Sequence, residues 1–320
     1  MSEQFNSRLI DQASLGSAIQ EALDTCGLGS VVDAQLVDVG FEDYNMIVTN
    51  DVSEKYFIKV MSRSRDEKSI RRYVSIIDAA LAAGVNHPRV YKNADNETLV
   101  RTHSGMTMVV MEAVKGKTFY DLDSTPTPQQ LDALMHEVVK ISHISYMPEA
   151  EYDSWAIPHI DAAYEQALPH MPSDAKQLVD QAVAAYNALP LADLPTCFVH
   201  GDLTKANVMV GDDGMLYVID FSVANMYPRI QELVVMATSL MYDKHTPLDL
   251  RDRLDILADR YVENGGELTD IERTSMFAYA LAGLAMEYLG SLNEQVKNGH
   301  SDEAEHWQHV GLQGLKEALR

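Results

Sequence analysis

Residues 14–26 carry Leu15, Ala18, Ile19, Ala22 and Leu23 at the three-and-four spacing of one helical face, with Gly27 where such a helix would be capped. From 34 to 61 the apolar period falls to two. Val37 and Val39, Met46 and Val48, and then Tyr56, Ile58 and Val60 predict three strands, parted by turns at 40–45 and 50–55. Helical spacing returns over 66–83 and stops at Gly84, with Pro88 beyond it. Two further strands, 97–102 and 106–112, are joined by His103, Ser104 and Gly105. After Lys115 and Gly116 the pattern is mainly helical. Thr127, with Pro128 and Gln130, forms a capping box ahead of Leu131, Leu134, Met135, Val138 and Ile141. A second box, Thr269 with Glu272, opens the helix that holds the apolar run 276–286. Between these helices, 207–210 and 215–220 predict a short hairpin turning at Asp212-Asp213-Gly214, and 145–158 is irregular. The order implies an α+β chain of two lobes: a mixed sheet with one main helix at 1–114, and a larger, mainly helical lobe at 115–320.

Composition agrees with an ordinary globular protein, at 46% hydrophobic and 23% charged residues. The length of 320 residues suits two lobes. A formal charge of −23 argues against nucleic acid or an anionic membrane as partner, because both are bound through a surplus of Lys and Arg. Only Cys26 and Cys197 occur, in no paired motif, so neither a disulfide framework nor a thiolate metal site is expected. Residues 1–11 lack the basic start and apolar run of a signal peptide, and the longest apolar run is too short to span a bilayer. A cytoplasmic protein is expected.

The stretch that carries chemistry is Phe198-Val-His-Gly-Asp-Leu-Thr-Lys-Ala-Asn-Val-Met-Val, followed by Tyr217-Val-Ile-Asp-Phe-Ser. An apolar strand delivers Asp202 into a loop, Asn207 opens the hairpin, and Asp220 closes it. Hard oxygen donors of this kind suit Mg²⁺, which takes one or two protein carboxylates and fills its shell with water and phosphate oxygens. Asn207 and Asp220 are the candidate metal ligands. Asp202 is then left to accept a proton from a substrate hydroxyl.

This arrangement resembles the catalytic loop and metal-binding motif of protein kinases. With Gly201 after His200, it is more similar to the kinase-like small-molecule phosphotransferases: aminoglycoside phosphotransferases, choline kinases and type II homoserine kinases. The resemblance implies a bilobal protein-kinase-like fold that uses ATP and Mg²⁺. It places Lys59, on the third strand, at the α- and β-phosphates, and the turn from Gly40 to Asn45 over the nucleotide. The stretch Met111-Glu-Ala-Val-Lys-Gly looks like the hinge that meets adenine, through Glu112 and Val114. Glu67 would pair with Lys59, His200 would brace the loop, and Lys205 would neutralise the transferring phosphoryl group. Glu232 stands where the family carries an aspartate. It is expected to brace the loop and is also counted among acceptor-site candidates, with Glu287, Tyr288 and Trp155.

The resulting expectation is transfer of the γ-phosphoryl group to a hydroxyl of a small, amine-bearing molecule such as an aminoglycoside, choline, ethanolamine or homoserine-like compound. A nucleotide-binding module without turnover, hinted at by Glu232, is the alternative from another class. A protein kinase is disfavoured, because no activation segment separates Asp220 from the helical pattern at Glu232. Residues 55–117 hold twelve Lys and Arg against six Asp and Glu, so the acidity is concentrated elsewhere, largely in the helical lobe, and favours a cationic acceptor.

Overall fold

The computed structural model describes residues 8–37, 43–245 and 248–320. Gly40 and the first part of its turn, expected to cover the nucleotide, lie outside the described residues. The chain forms two compact units. The first takes in residues up to Ala82, Asn86–Gly116 and Gly211–Asp213; the second takes in Ala83–Val85, Lys117–Val210 and Gly214–Arg320.

The first unit is an antiparallel sheet flanked by two helices. Its strands are β1 (Val31–Val37), β2 (Tyr44–Asn50), β3 (Lys55–Val60), β4 (Val90–Tyr91), β5 (Leu99–Arg101) and β6 (Thr107–Glu112), in the order β1-β2-β3-β6-β4 with β5 also paired to β6. The helices are α1 (Leu15–Thr25) and α2 (Glu67–Ala82). Alternation sorts the strand side chains between two apolar clusters. Tyr56, Ile58, Val60, Met108 and Val110 pack with Ile19 and Leu23 of α1. Phe57, Met61, Val109 and Met111 pack with Ile70, Tyr73 and Ile77 of α2. The same period puts Lys59 on the α2 side of the sheet, and it is this alternation that positions the residue.

The second unit contains α3 (Pro128–Ser142), α4 (Ile160–Ala167), α5 (Ser173–Asn187), α6 (Ile230–Val235), α7 (Leu250–Glu263), α8 (Asp270–Asn298) and α9 (Asp302–Ala318). Both capping boxes form: Thr127 with Gln130 opens α3 and Thr269 with Glu272 opens α8. The long α8 is the axis on which α4, α5, α6 and α9 pack. Five short strands hold the loops of interest: β7 (Gly116–Thr118), β8 (Thr196–Val199), β9 (Val208–Gly211), β10 (Leu216–Val218) and β11 (Asn225–Pro228). They form a β10-β9-β7 sheet and a β11-β8 pair. β4, β7 and β11 are two to four residues long, too short to leave a readable period. Among the described residues no helix is long and apolar enough to cross a membrane.

Candidate active site

β8 delivers His200 to a fully buried position, where two bonds determine what its ring can do. Its Nε2 lies 2.9 Å from the Ile219 carbonyl, and its Nδ1 accepts the Asp202 amide at 3.2 Å. An amide can only donate, so Nδ1 is unprotonated and the proton sits on Nε2. His200 therefore ties the loop to the end of β10 as a neutral imidazole, with Phe221 packed at 4.4 Å between centroids. Gly201 follows at φ +86°, a conformation that favours glycine. Asp202 then turns into the loop. The Asn207 amide donates to its carbonyl at 2.9 Å and to its Oδ2 at 2.6 Å. The Asn207 nitrogen is thus occupied, and its Oδ1 is the atom left for a ligand. The Ile219 amide donates to the Asn207 carbonyl, which ties the start of the hairpin to its end at Asp220, itself at φ +61°.

Glu232, on α6, is 3% exposed, and its Oε2 accepts the His200 amide at 2.5 Å, with the neighbouring Gly201 amide also favouring its charge. The longer side chain does reach the catalytic loop. Because it is buried against that backbone, the acceptor-site role entertained for it is withdrawn. Burial pushes its carboxyl up to about 7 against the two amides that favour its charge. A raised carboxyl binds its proton more tightly in the folded chain than in the unfolded one. Its contribution to stability is therefore fully present below about pH 4.5 and is lost as pH rises through about 7, a swing of about 3 kcal/mol. Glu232→Gln keeps an acceptor for the amides and removes the charge. The melting temperature of the variant relative to the parent should rise by several degrees between pH 5.5 and pH 8.5. An equal difference at both pH values would show that Glu232 ionises in the fold as readily as in the unfolded chain.

Asp202 is held well above the usual carboxylate range, first by burial, then by the charges of Glu287 and Asp220, with Asp153 contributing less. Glu287 on α8 is partly buried, and its carboxylate has no hydrogen-bond partner among the described residues, while its backbone carbonyl accepts the Ser291 hydroxyl. Burial raises its carboxyl to about 7. The segment that faces it is 152–159. Ile157 lies over Gly283, and the Trp155 ring lies so close to Gly290 that a Cβ there would come 2.6 Å from its Cε3. Glu287 stands four residues after the first glycine and three before the second, on the same face of α8. Asp153 pins the segment by accepting the Trp155 amide at 2.8 Å, and Tyr152 stacks on His159 at 4.4 Å. Tyr288 is a correction. One position round the helix from Glu287, it is 2% exposed and packs beside Gly311 of α9, within the core. Lys205 is partly buried, which lowers its pKa, and it faces Asp123, Asp243 and Lys244.

In the first unit, Lys59 Nζ lies 4.9 Å from the centre of the Tyr73 ring and 3.7 Å from Asp43 Oδ2. Asn45 sits opposite Lys59 in the β2–β3 register. The expected Lys59–Glu67 pair is not formed. Glu67 is half exposed and bonds Arg71 and Arg101 at 2.5 and 2.6 Å, which lowers its pKa. The reason is helix phase: at 3.6 residues per turn, Glu67 is rotated about a third of a turn from Tyr73, which faces the lysine. Asp43 was missed by sequence reasoning, although its place two residues before Asn45 carries the period-two signal that would have put it on the Lys59 side. At the end of β6, the Glu112 amide donates to the Arg89 carbonyl and the Ala113 amide to the Lys55 carbonyl. The Val114 amide has no acceptor among the described residues.

The donor set fits a hard divalent cation. Asp220 and the Asn207 oxygen are both hard donors, Asp220 adds unfavourable negative charge to Asp202, and no soft ligand lies in the loop.

The model of the phosphotransferase enzyme family (APH) matches residues 33–268, well over half of the chain. Solved structures agree in fold. A spectinomycin phosphotransferase determined with ADP and spectinomycin superposes with a TM-score of 0.68 at 14% identity, covering 95% of this chain and 98% of that one. An amicoumacin kinase determined with AMP-PNP and Ca²⁺ gives 0.68 at 13%, covering 99% and 96%. The choline kinase of Streptococcus pneumoniae gives 0.62 at 12%, covering 94% and 98%. With the His200–Asp202–Asn207–Asp220 loop inside the matched span and the kinase-like α+β architecture around it, the chain belongs to the phosphotransferase enzyme family and is a small-molecule phosphotransferase.

Proposed function

We propose that the protein transfers the γ-phosphoryl group of ATP, with Mg²⁺, to a hydroxyl of a small amine-bearing molecule in the cytoplasm. The observation that carries this reading is Glu287: a desolvated carboxylate with no hydrogen-bond partner among the described residues, close enough to Asp202 to raise its pKa. An acceptor that brings a cation to Glu287 and a hydroxyl to Asp202 satisfies both.

Lys59 binds the α- and β-phosphates, the Glu112 carbonyl and the open Val114 amide meet the adenine edge, and Asn45 lies beside the lysine. Asn207 Oδ1 and Asp220 hold the metal ion. When bound, Mg²⁺ supplies positive charge to the phosphate oxygens as the γ-phosphoryl group moves. Asp202 Oδ2 is held by Asn207, which leaves Oδ1 to accept the acceptor's hydroxyl proton. As that O–H bond breaks, a bond forms from the oxygen to the γ-phosphorus, the bond to the bridging β–γ oxygen breaks, and ADP departs with the electron pair. A cationic acceptor at Glu287 would offset the larger of the two charges that raise Asp202, and a metal ion held by Asp220 would offset the other, which favours ionisation of the base. Lys205 lies in the same loop and contributes a cation to the transferring group.

ADP release measured against amino alcohols, aminoglycosides and neutral sugars tests the reading. Turnover of amine-bearing alcohols is expected, at least tenfold above that of neutral sugars. Equal turnover of both groups would overturn the cationic assignment, and absence of ADP release with any hydroxyl compound would overturn the reaction.

A further inference from the structure

Trp155 is pressed against α8 at a point where the helix has no side chain. A Cβ on Gly290 would lie 2.6, 2.8 and 2.9 Å from Cε3, Cδ2 and Cζ3 of the indole, distances that packed carbons do not adopt, so alanine cannot stand there unless the ring moves. About two turns earlier, a Cβ on Gly283 would lie 3.3 Å from Ile157 Cδ1. A glycine inside a helix is destabilising relative to alanine, and two of them beneath one segment mark a close approach. The segment is tied to itself at Asp153. Its carboxylate accepts the Trp155 amide, its carbonyl accepts the Ala156 amide at 3.2 Å, and His159 Nδ1 lies 2.6 Å from that carbonyl. A shift of the Trp155 ring is therefore passed to Asp153. Although α8 covers one side of the indole, Trp155 is 38% exposed.

We infer that Gly290 is a positioning residue for the acceptor: by letting the Trp155 ring close onto α8, it sets Trp155 as the wall of the acceptor site beside Glu287. The inference deepens the proposed reaction and rests on its assignment of the acceptor's cation to Glu287. Glu287 stands three residues before Gly290 on the same helical face, so the ring that covers Gly290 borders the carboxylate. At the start of the segment, the charge of Asp153 contributes to raising Asp202. The segment thus runs from the surroundings of the base to the anchor of the cation, and the exposed part of the indole faces the acceptor that joins them. An aromatic wall offers apolar surface to the carbon skeleton of an amino alcohol while Glu287 holds its charge. Pushed outward by a Cβ, the ring would carry that surface away from Glu287, while Lys59 on β3 would be untouched.

A double-mutant cycle on the full chain tests the inference, reading ADP release with whichever amino alcohol or aminoglycoside turns over fastest. Gly290→Ala should raise the acceptor KM about tenfold and leave the KM for ATP within about twofold. Trp155→Ala should raise the acceptor KM to a similar extent, and adding Gly290→Ala to it should raise it no further, because the glycine acts through the ring. Melting temperatures give a second sign: Gly290→Ala should lower the value in the parent and raise it in Trp155→Ala, where the alanine has room. Trp307, on α9, is the other tryptophan. With Trp307→Phe as parent, emission reports Trp155 alone and should move to longer wavelength in Gly290→Ala. If Gly290→Ala does not fold alone, the seat is read from recovery of the fold in the double variant and the wall from the KM split of Trp155→Ala. An unchanged acceptor KM in either single variant, an equal rise in the KM for ATP, or additive effects of the two would overturn the inference. If Glu287→Gln raises the acceptor KM while Gly290→Ala does not, only the role of Gly290 falls; if neither raises it, the assignment of the cation falls as well.

Discussion

Asp202→Asn should lower kcat by two to four orders of magnitude, the range expected when a positioned general base is removed, while ATP still raises the melting temperature. The substitution keeps the shape of the side chain and an oxygen to accept the Asn207 amide, so the loop has no geometric reason to move. It also removes a charge that burial, Glu287 and Asp220 all disfavour. Asp202, with its raised pKa, costs stability once pH rises above the unfolded carboxylate range, so the variant should be at least as stable as the parent at neutral pH. Lost turnover in a more stable, nucleotide-binding protein can then be assigned to the missing proton acceptor. Turnover at the parent's rate would remove Asp202 from the mechanism.

Glu287→Gln should raise the acceptor's KM ten- to a hundredfold with a smaller change in kcat, since a hydrogen bond to a charged partner is worth about 1.5–3 kcal/mol. The pH dependence supplies a second readout. Glu287 is neutral below about pH 7 and anionic above it, and only the anion attracts an ammonium group. In the parent, acceptor affinity should weaken as pH falls through about 7, by up to tenfold per unit. In Glu287→Gln that limb should disappear, leaving the titration of Asp202 visible in kcat. A variant with unchanged KM and an unchanged limb would place the cation elsewhere. Trp155 is tied to the same face of α8 through Gly290, so the segment 152–159 and Glu287 answer to one helix.

How far the sequence could be read follows the range of the interactions involved. The capping boxes at Thr127 and Thr269 are contained in four consecutive residues and form as their side chains predict. The alternation of β3 separates Lys59 from Ile58 and Val60, because a strand's period of two belongs to the backbone itself. The close spacing of Asp202, Asn207 and Asp220 is equally local, since a hairpin returns the chain to its start and Ile219 bonds back to Asn207. Glu232 lies thirty-two positions from the amide it accepts, and only the tertiary fold makes that bond visible.

The sequence by itself determined the capped helices, the strands with a clear period of two, the motif and the residue types of the chemistry, for each of these rests on a few neighbouring positions. What only the tertiary structure decided is which carboxylates meet which groups. Helix phase sends Glu67 to Arg71 and Arg101 and leaves Asp43 beside Lys59. Helix phase again buries Tyr288 against α9 while Glu287 shares a face of α8 with the two glycines under Ile157 and Trp155. A rotation of about 100° per residue is fixed by the α-helix, but the face that becomes the inside is chosen by long-range packing of apolar surface.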